Sequence, residues 1–146
     1  MMLTMIHLPM MNVYKISAVT ILIKDMKRSC NFYSKIPGFK LIYGGSPCDP
    51  FTTYEIGTSV YLNLELFKMR TNNHERDTRN TAKIILHTED VDELYFYFKN
   101  NKNISRLILF ENEPTDASWG ERYFHIRDPD GYLLSFAKPI KNLEVL

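Results

Sequence analysis

Two spacings of apolar residues alternate along the chain, and the whole series runs twice. Residues 16–23 (ISAVTILI) are rich in β-branched side chains and predict a strand. Asp25 then offers a carboxylate to the unpaired amides of a first helical turn. Met26, Ser29, Cys30 and Tyr33 follow at i, i+3, i+4 and i+7, one face of a helix. Pro37-Gly38 ends that helix. Residues 39–43, 52–56 and 60–67 predict three strands, turned at Gly44-Gly45 and at Gly57. After a polar stretch without an apolar period, 68–81, the series restarts with a strand at 82–87. Asp90 with Glu93 makes a capping box, with Asp where Ser or Thr is usual. Val91, Leu94, Tyr95 and Phe98 repeat the helical face. The run LYFYF at 94–98 suits a strand by propensity, but the cap and the periodic face predict a helix that ends at Asn100-Asn101. Strands follow at 106–110, 122–127 and 132–137. The last two are joined by Asp128-Pro129-Asp130-Gly131, where Pro sets φ and Gly accepts a positive φ.

Asp25 and Asp90 hold equivalent places in this series, which marks an internal repeat. The pattern predicts an α+β domain over 16–140 made of two βαβββ modules, at about 16–67 and 82–138. A linker spans 68–81, and tails lie at 1–15 and 141–146. One such module cannot close a sheet. Two of them, packed edge to edge or exchanged, predict a curved mixed eight-stranded sheet with the helices on its convex side and a ligand cavity on its concave side.

Composition narrows the partners. The formal net charge is +1, and basic residues are scattered among acids, so the concentrated basic face that a phosphate backbone requires is missing. Nine Phe, nine Tyr and one Trp suffice for both a core and an aromatic-walled pocket. The two cysteines, Cys30 and Cys48, form no CxxC pair and are expected as reduced thiols. Residues 1–11 are apolar and Met-rich, but they lack a basic leader and are too short to span a bilayer. The expectation is a cytoplasmic protein that binds neither membrane nor nucleic acid.

Two segments carry a family resemblance. VTILIKDMKRSCNFYSKIPGFKLIYGG resembles the first-module signature of the glyoxalase/bleomycin-resistance (vicinal oxygen chelate) superfamily, and RYFHIRDPDGYLLSF resembles its closing hairpin. The resemblance covers roughly 16–139. It implies the paired-module fold, a cavity and a homodimer. It does not imply one chemistry, because the fold hosts lyases, dioxygenases, thiol transferases and non-catalytic drug-binding proteins. The family's enzymes hold a divalent metal on the concave face. At the positions that match their ligands this chain has Ala18, Asn63, Lys83 and Ser135. A methyl donates nothing, an ammonium repels a cation, and an amide and a hydroxyl are weak donors without anionic or imidazole partners. No cofactor is therefore expected, with a divalent metal as the alternative.

The candidate cavity residues are Ala18, Tyr61, Asn63, Glu65, Lys83, Trp119, Tyr123, His125 and Ser135. Lys83 is either an anion receptor or a lysine reaching for water. His125 either binds a ligand or acts as acid or base, or else is a half-exposed strand residue. Glu65 either pairs with Lys83 or takes a proton, or else makes a salt bridge at a dimer seam. Trp119-Gly120 is either an aromatic lid or a packing contact. His87 is expected at the rim, and His7 and His74 are expected to be incidental. Two functions follow from these candidates. One is a metal-free protein that binds a small aromatic or anionic molecule. The other is an enzyme of the same fold, resembling a lactoylglutathione lyase, a dioxygenase or a thiol transferase. Such an enzyme would use unusual metal ligands, or His125 and Glu65 as acid and base.

Overall fold

Asp25 and Asp90 each end a strand and open a helix, and both do it in the same way. In the computed structural model, which describes residues 10–67 and 82–140, the Asp25 carboxylate accepts from the Arg28 amide at 3.0 Å. The Asp90 carboxylate accepts from the Glu93 amide at 3.0 Å. Each bond satisfies a donor that a helix N-terminus otherwise leaves open. The first module runs β1 (Ala18–Ile23), α1 (Met26–Tyr33), β2 (Phe39–Tyr43), β3 (Phe51–Ile56) and β4 (Val60–Leu66). The second runs β5 (Lys83–His87), α2 (Val91–Asn100), α3 (Lys102–Ser105), β6 (Leu109–Phe110), β7 (Thr115–Asp116), β8 (Glu121–Arg127) and β9 (Leu133–Pro139). The expected linker at 68–81, the tail at 141–146, His7 and His74 lie outside the described residues.

The LYFYF run is helical, within α2, because Leu94, Tyr95 and Phe98 bury on one face. The strand expected at 106–110 shrinks to Leu109–Phe110. Its first part is instead a turn that closes α3, with the Arg106 and Leu107 amides donating to the Lys102 and Ile104 carbonyls at 3.3 and 2.9 Å. α3 itself is capped by the Asn101 side chain on the Asn103 amide at 3.0 Å and anchored by the fully buried Ile104. The Gly44-Gly45 turn tolerates no side chain at its first position: a Cβ on Gly44 would stand 2.3 Å from the Phe51 carbonyl oxygen.

The α+β fold of two paired modules is as expected, with its strands divided within one chain between two sheets rather than joined in one eight-stranded sheet. Sheet A has the order β1-β4-β3-β2. Sheet B has the order β5-β9-β8-β6, with β7 paired to β8. β1 joins β4 in parallel and β5 joins β9 in parallel, so the modules repeat each other. β1 and β5 are both edge strands, and no hydrogen-bonded strand pair links the two sheets among the described residues.

The modules meet through their helices and one turn instead. Ile21, Ile23, Tyr54, Leu62 and Leu64 of sheet A share one contiguous buried cluster with Phe124, Ile126, Leu134 and Phe136 of sheet B. The rings of Phe32 (α1) and Phe98 (α2), both fully buried, lie 6.0 Å apart. The Asp128–Gly131 turn docks on the first module. Tyr33 donates its hydroxyl to Asp128 Oδ2 at 2.5 Å. Asp128 Oδ1 accepts from the amides of Asp130 and Tyr132 at 2.9 and 2.8 Å. Asp130 accepts from the Lys24 amide, the Arg28 guanidinium and the Ser29 hydroxyl at 3.0–3.1 Å. Burial of Asp128 raises its pKa to about 6, partly offset by the Tyr33 hydroxyl and the amide donors.

Candidate functional site

Each sheet has one face turned into the shared core and one turned away. The strand period of two decides which residues go where. In sheet A, Leu62 and Leu64 are buried in the core, so Tyr61, Asn63 and Glu65 face outward together. The parallel register sets Ala18 beside Tyr61, Thr20 beside Asn63 and Leu22 beside Glu65. Asn63 is not a waiting ligand. Its amide nitrogen donates to Thr20 Oγ1 at 3.1 Å, and its amide oxygen accepts from Thr53 Oγ1 at 2.8 Å. Three strands are thus tied across the outer face by side chains. Thr20 and Thr53 were not among the expected site residues. The outward alternation of Ala18, Thr20 and Leu22 was the sequence signal that pointed to Thr20.

In sheet B, Phe124, Ile126, Leu134 and Phe136 enter the core. The outward set comes from three strands in register. Ile85, Ser135 and His125 form one row, and His87, Ala137 and Tyr123 form the next. Lys83 and Arg127 flank Leu133 in the row on the other side. Three rings run along this face. Trp119 stacks on Tyr123 with centroids 5.8 Å apart and planes at 22°. Tyr123 approaches His125 at 4.6 Å and 42°. Trp119 is 62% exposed, so one side of the stack is open. Its indole N–H donates to Glu121 Oε1 at 3.0 Å, and the other oxygen of that carboxylate lies 3.4 Å from His87 Nε2. This places His87 in the rim of the face and gives Glu121 a bridging role that the sequence did not reveal. Arg122 holds the flank of the Trp119 loop, with a two-pronged contact to Asp92 at 2.8 Å and one to Asp116 at 3.0 Å.

Burial lowers the pKa of His125, and the positive charge of Lys83 lowers it further. Its imidazole is therefore neutral at neutral pH and can accept a proton or a hydrogen bond. Ser135 is buried at 4% exposure beneath this face. Lys83, Trp119, Tyr123, His125 and Ser135 thus share one surface. Ala18, Tyr61, Asn63 and Glu65 share another, on the other sheet. The pairing of Glu65 with Lys83, one of the alternatives for Glu65, is not made within the chain, because the two lie on different sheets and β1 and β5 do not pair.

The donors at the four positions that match metal ligands in the resemblance do not fit a divalent ion. Ala18 has no donor atom, Asn63 is already bonded to two threonines, Lys83 brings a cation, and Ser135 offers only a neutral hydroxyl. Among the described residues, no three His, Cys, Asp or Glu side chains converge as a metal site would require. Cys30 is a buried free thiol and Cys48 an exposed one. No helix among the described residues is long and apolar enough to cross a membrane.

Residues 15–136 match the model of the Glyoxalase/Bleomycin resistance protein/Dioxygenase superfamily, and the chain belongs to that family. It is similar to the bleomycin resistance proteins of Geobacillus stearothermophilus and Staphylococcus aureus. It is 29% identical to each over 126 residues, which cover 81% of this chain and 92% of the relative. A crystal structure of a glyoxalase/bleomycin resistance protein/dioxygenase from Nocardioides superposes with a TM-score of 0.65 at 20% identity. It covers 90% of this chain and 87% of that one, a likeness of fold.

Proposed function

We propose that this chain is a cytoplasmic, metal-free small-molecule-binding protein of its family. In this reading the outer face of sheet B holds a planar aromatic ligand that carries an anionic group. The observation that carries it is the open stack of Trp119 on Tyr123, continued by His125. A planar ligand gains stacking energy along that run. Lys83 stands one row from Ser135 and His125, where it meets an anionic substituent without needing a cofactor. The name of the bleomycin resistance relatives supports sequestration of a drug-like aromatic compound.

The functional unit in this reading is a homodimer. The edges of β1 and β5 lack a second strand partner; Tyr132 and Asp130 already bond the backbone at Leu22 and Lys24, and a second copy can cover the rest of these edges. Pairing β1 of one copy with β5 of the other would unite the Asn63 face with the Lys83 face around one cavity. Light scattering should return twice the 17.2 kDa chain mass.

The ligand reading is tested by the emission of Trp119, the single tryptophan. Titration with 2-naphthalenesulfonate, and separately with metal-free bleomycin, should quench it saturably. An unquenched signal with both compounds would refute the reading. A second reading is supported by the neutral His125. An enzyme would use it as a base, with Glu65 supplied by the partner copy as the acid. Turnover lost in both His125→Gln and Glu65→Gln variants would favour that reading.

A further inference from the structure

Behind the outer face of sheet B, on the side where Leu86 and Phe136 point, the ends of the two modules leave a cleft of about 490 Å³. Phe39 and Ile56 of the first module form one wall, and Leu86 and Phe136 form the other. Leu86 and Phe136 are register partners on β5 and β9, so that wall is continuous. The volume lies in the range of sites that enclose small organic ligands. The side chains of these walls are apolar, and the titratable side chains of the lining, His87 and Glu89, lie at one edge, where β5 runs into the start of α2.

That edge has a definite charge character. Glu89 is the one carboxylate in the lining, His87 is the one imidazole, and no Lys or Arg lines the cleft. His87 already faces a second carboxylate, Glu121, at 3.4 Å. Lys138 is engaged nearby, its ammonium donating to the Glu89 main-chain oxygen at 2.8 Å. An apolar slot with a carboxylate at its mouth complements an apolar body with a cationic end and disfavours the corresponding acid.

We infer that this inter-module cleft is a second small-molecule site, separate from the Trp119–Tyr123 face, and that it takes arylalkylamines. The aromatic body lies between Phe39, Ile56, Leu86 and Phe136, and the ammonium meets Glu89. His87 links the two sites physically. It lines the cleft and also contacts the Glu121 carboxylate that holds the Trp119 indole.

The test uses the full-length protein with 2-phenylethylamine, and with 3-phenylpropanoate as the isosteric acid. Calorimetry should give saturable amine binding and at least about tenfold weaker binding of the acid. Amide NMR shifts should centre on Gly38, Gly57 and Thr88, which line the cleft. Glu89→Gln changes an exposed side chain that the fold does not need, and it should weaken the amine about tenfold. No binding, equal binding of amine and acid, an unchanged affinity in Glu89→Gln, or shifts centred on Tyr123 and His125 would each overturn the inference. Because the reporters differ from Trp119 emission, this site can fail while the sheet B face stands, and the reverse.

Discussion

The two modules share one architecture and present opposite outer faces. Both have a capped helix, a parallel pair of first and last strands and an apolar inner face. Outside, module one is a closed polar network in which Asn63 is occupied by Thr20 and Thr53. Module two carries an open aromatic run with a lysine and a neutral histidine beside it. The comparison teaches where chemistry is free to vary. Inner positions are bound by a core they share, whereas outer positions on alternate residues carry no such burden. Two copies of one fold within a chain can therefore diverge in function without diverging in packing.

The largest test concerns whether the modules, so different outside, are one cooperative unit. Phe98 is fully buried and packs on Phe32, Phe124 and Phe136, so it touches both halves. Phe98→Ala should cost about 3–5 kcal/mol, measured by chemical denaturation. Both halves should still unfold in a single transition; two separated transitions would break the picture of one shared core.

The second test probes the other joint, where Tyr33 of module one meets Asp128 of module two. The folded Asp128 pKa is raised to about 6 from 3.8, chiefly by burial. The folded state therefore holds more protons than the unfolded state between these values, and this group's contribution to stability rises as pH falls through that window. Relative to Asp128→Asn, the wild type should gain stability from pH 7 to pH 4, by up to about 3 kcal/mol. Thermal denaturation across pH reads the difference, and a gap that widened in the opposite direction would refute the assignment.

The remaining tests sharpen the contrast between the outer faces. Tyr123→Ala removes the ring between Trp119 and His125. It should weaken an aromatic ligand on sheet B about five- to tenfold, by the loss of about 1–1.5 kcal/mol of stacking. The smallest effect is expected for Thr53→Val, which deletes one hydrogen bond to Asn63. It should cost about 1 kcal/mol of stability and leave the affinity of the Tyr123 face unchanged. A large loss of binding in that variant would mean that the polar network of module one takes part in recognition.

Much of this was legible along the chain, and the residues show why. The caps at Asp25 and Asp90, the helical faces and the repeat depend on neighbours within a few positions, so spacing alone exposes them. The outward set on β4 was legible for the same reason, since strand alternation is local. The strand ending at Phe110 was overestimated because α3, held by the buried Ile104, closes through a turn that takes up Arg106 and Leu107. Glu121 was invisible as a bridge because its partners, His87 and Trp119, come together only when β5 and β8 flank β9.

The sequence by itself determined the two βαβββ modules and the side of each strand that faces the core. These are properties of period, cap and residue type, and they need no knowledge of distant contacts. Tertiary structure alone decided that the four-stranded and five-stranded sheets stay separate within the chain. It also decided that Asn63 is spent on two threonines, and that Trp119, Tyr123 and His125 form one run. The physical reason is that strand-edge pairing and side-chain stacking depend on where the helices dock. Here that docking was set by the Phe32–Phe98 contact and the Tyr33–Asp128 hydrogen bond, between residues more than sixty positions apart in the chain.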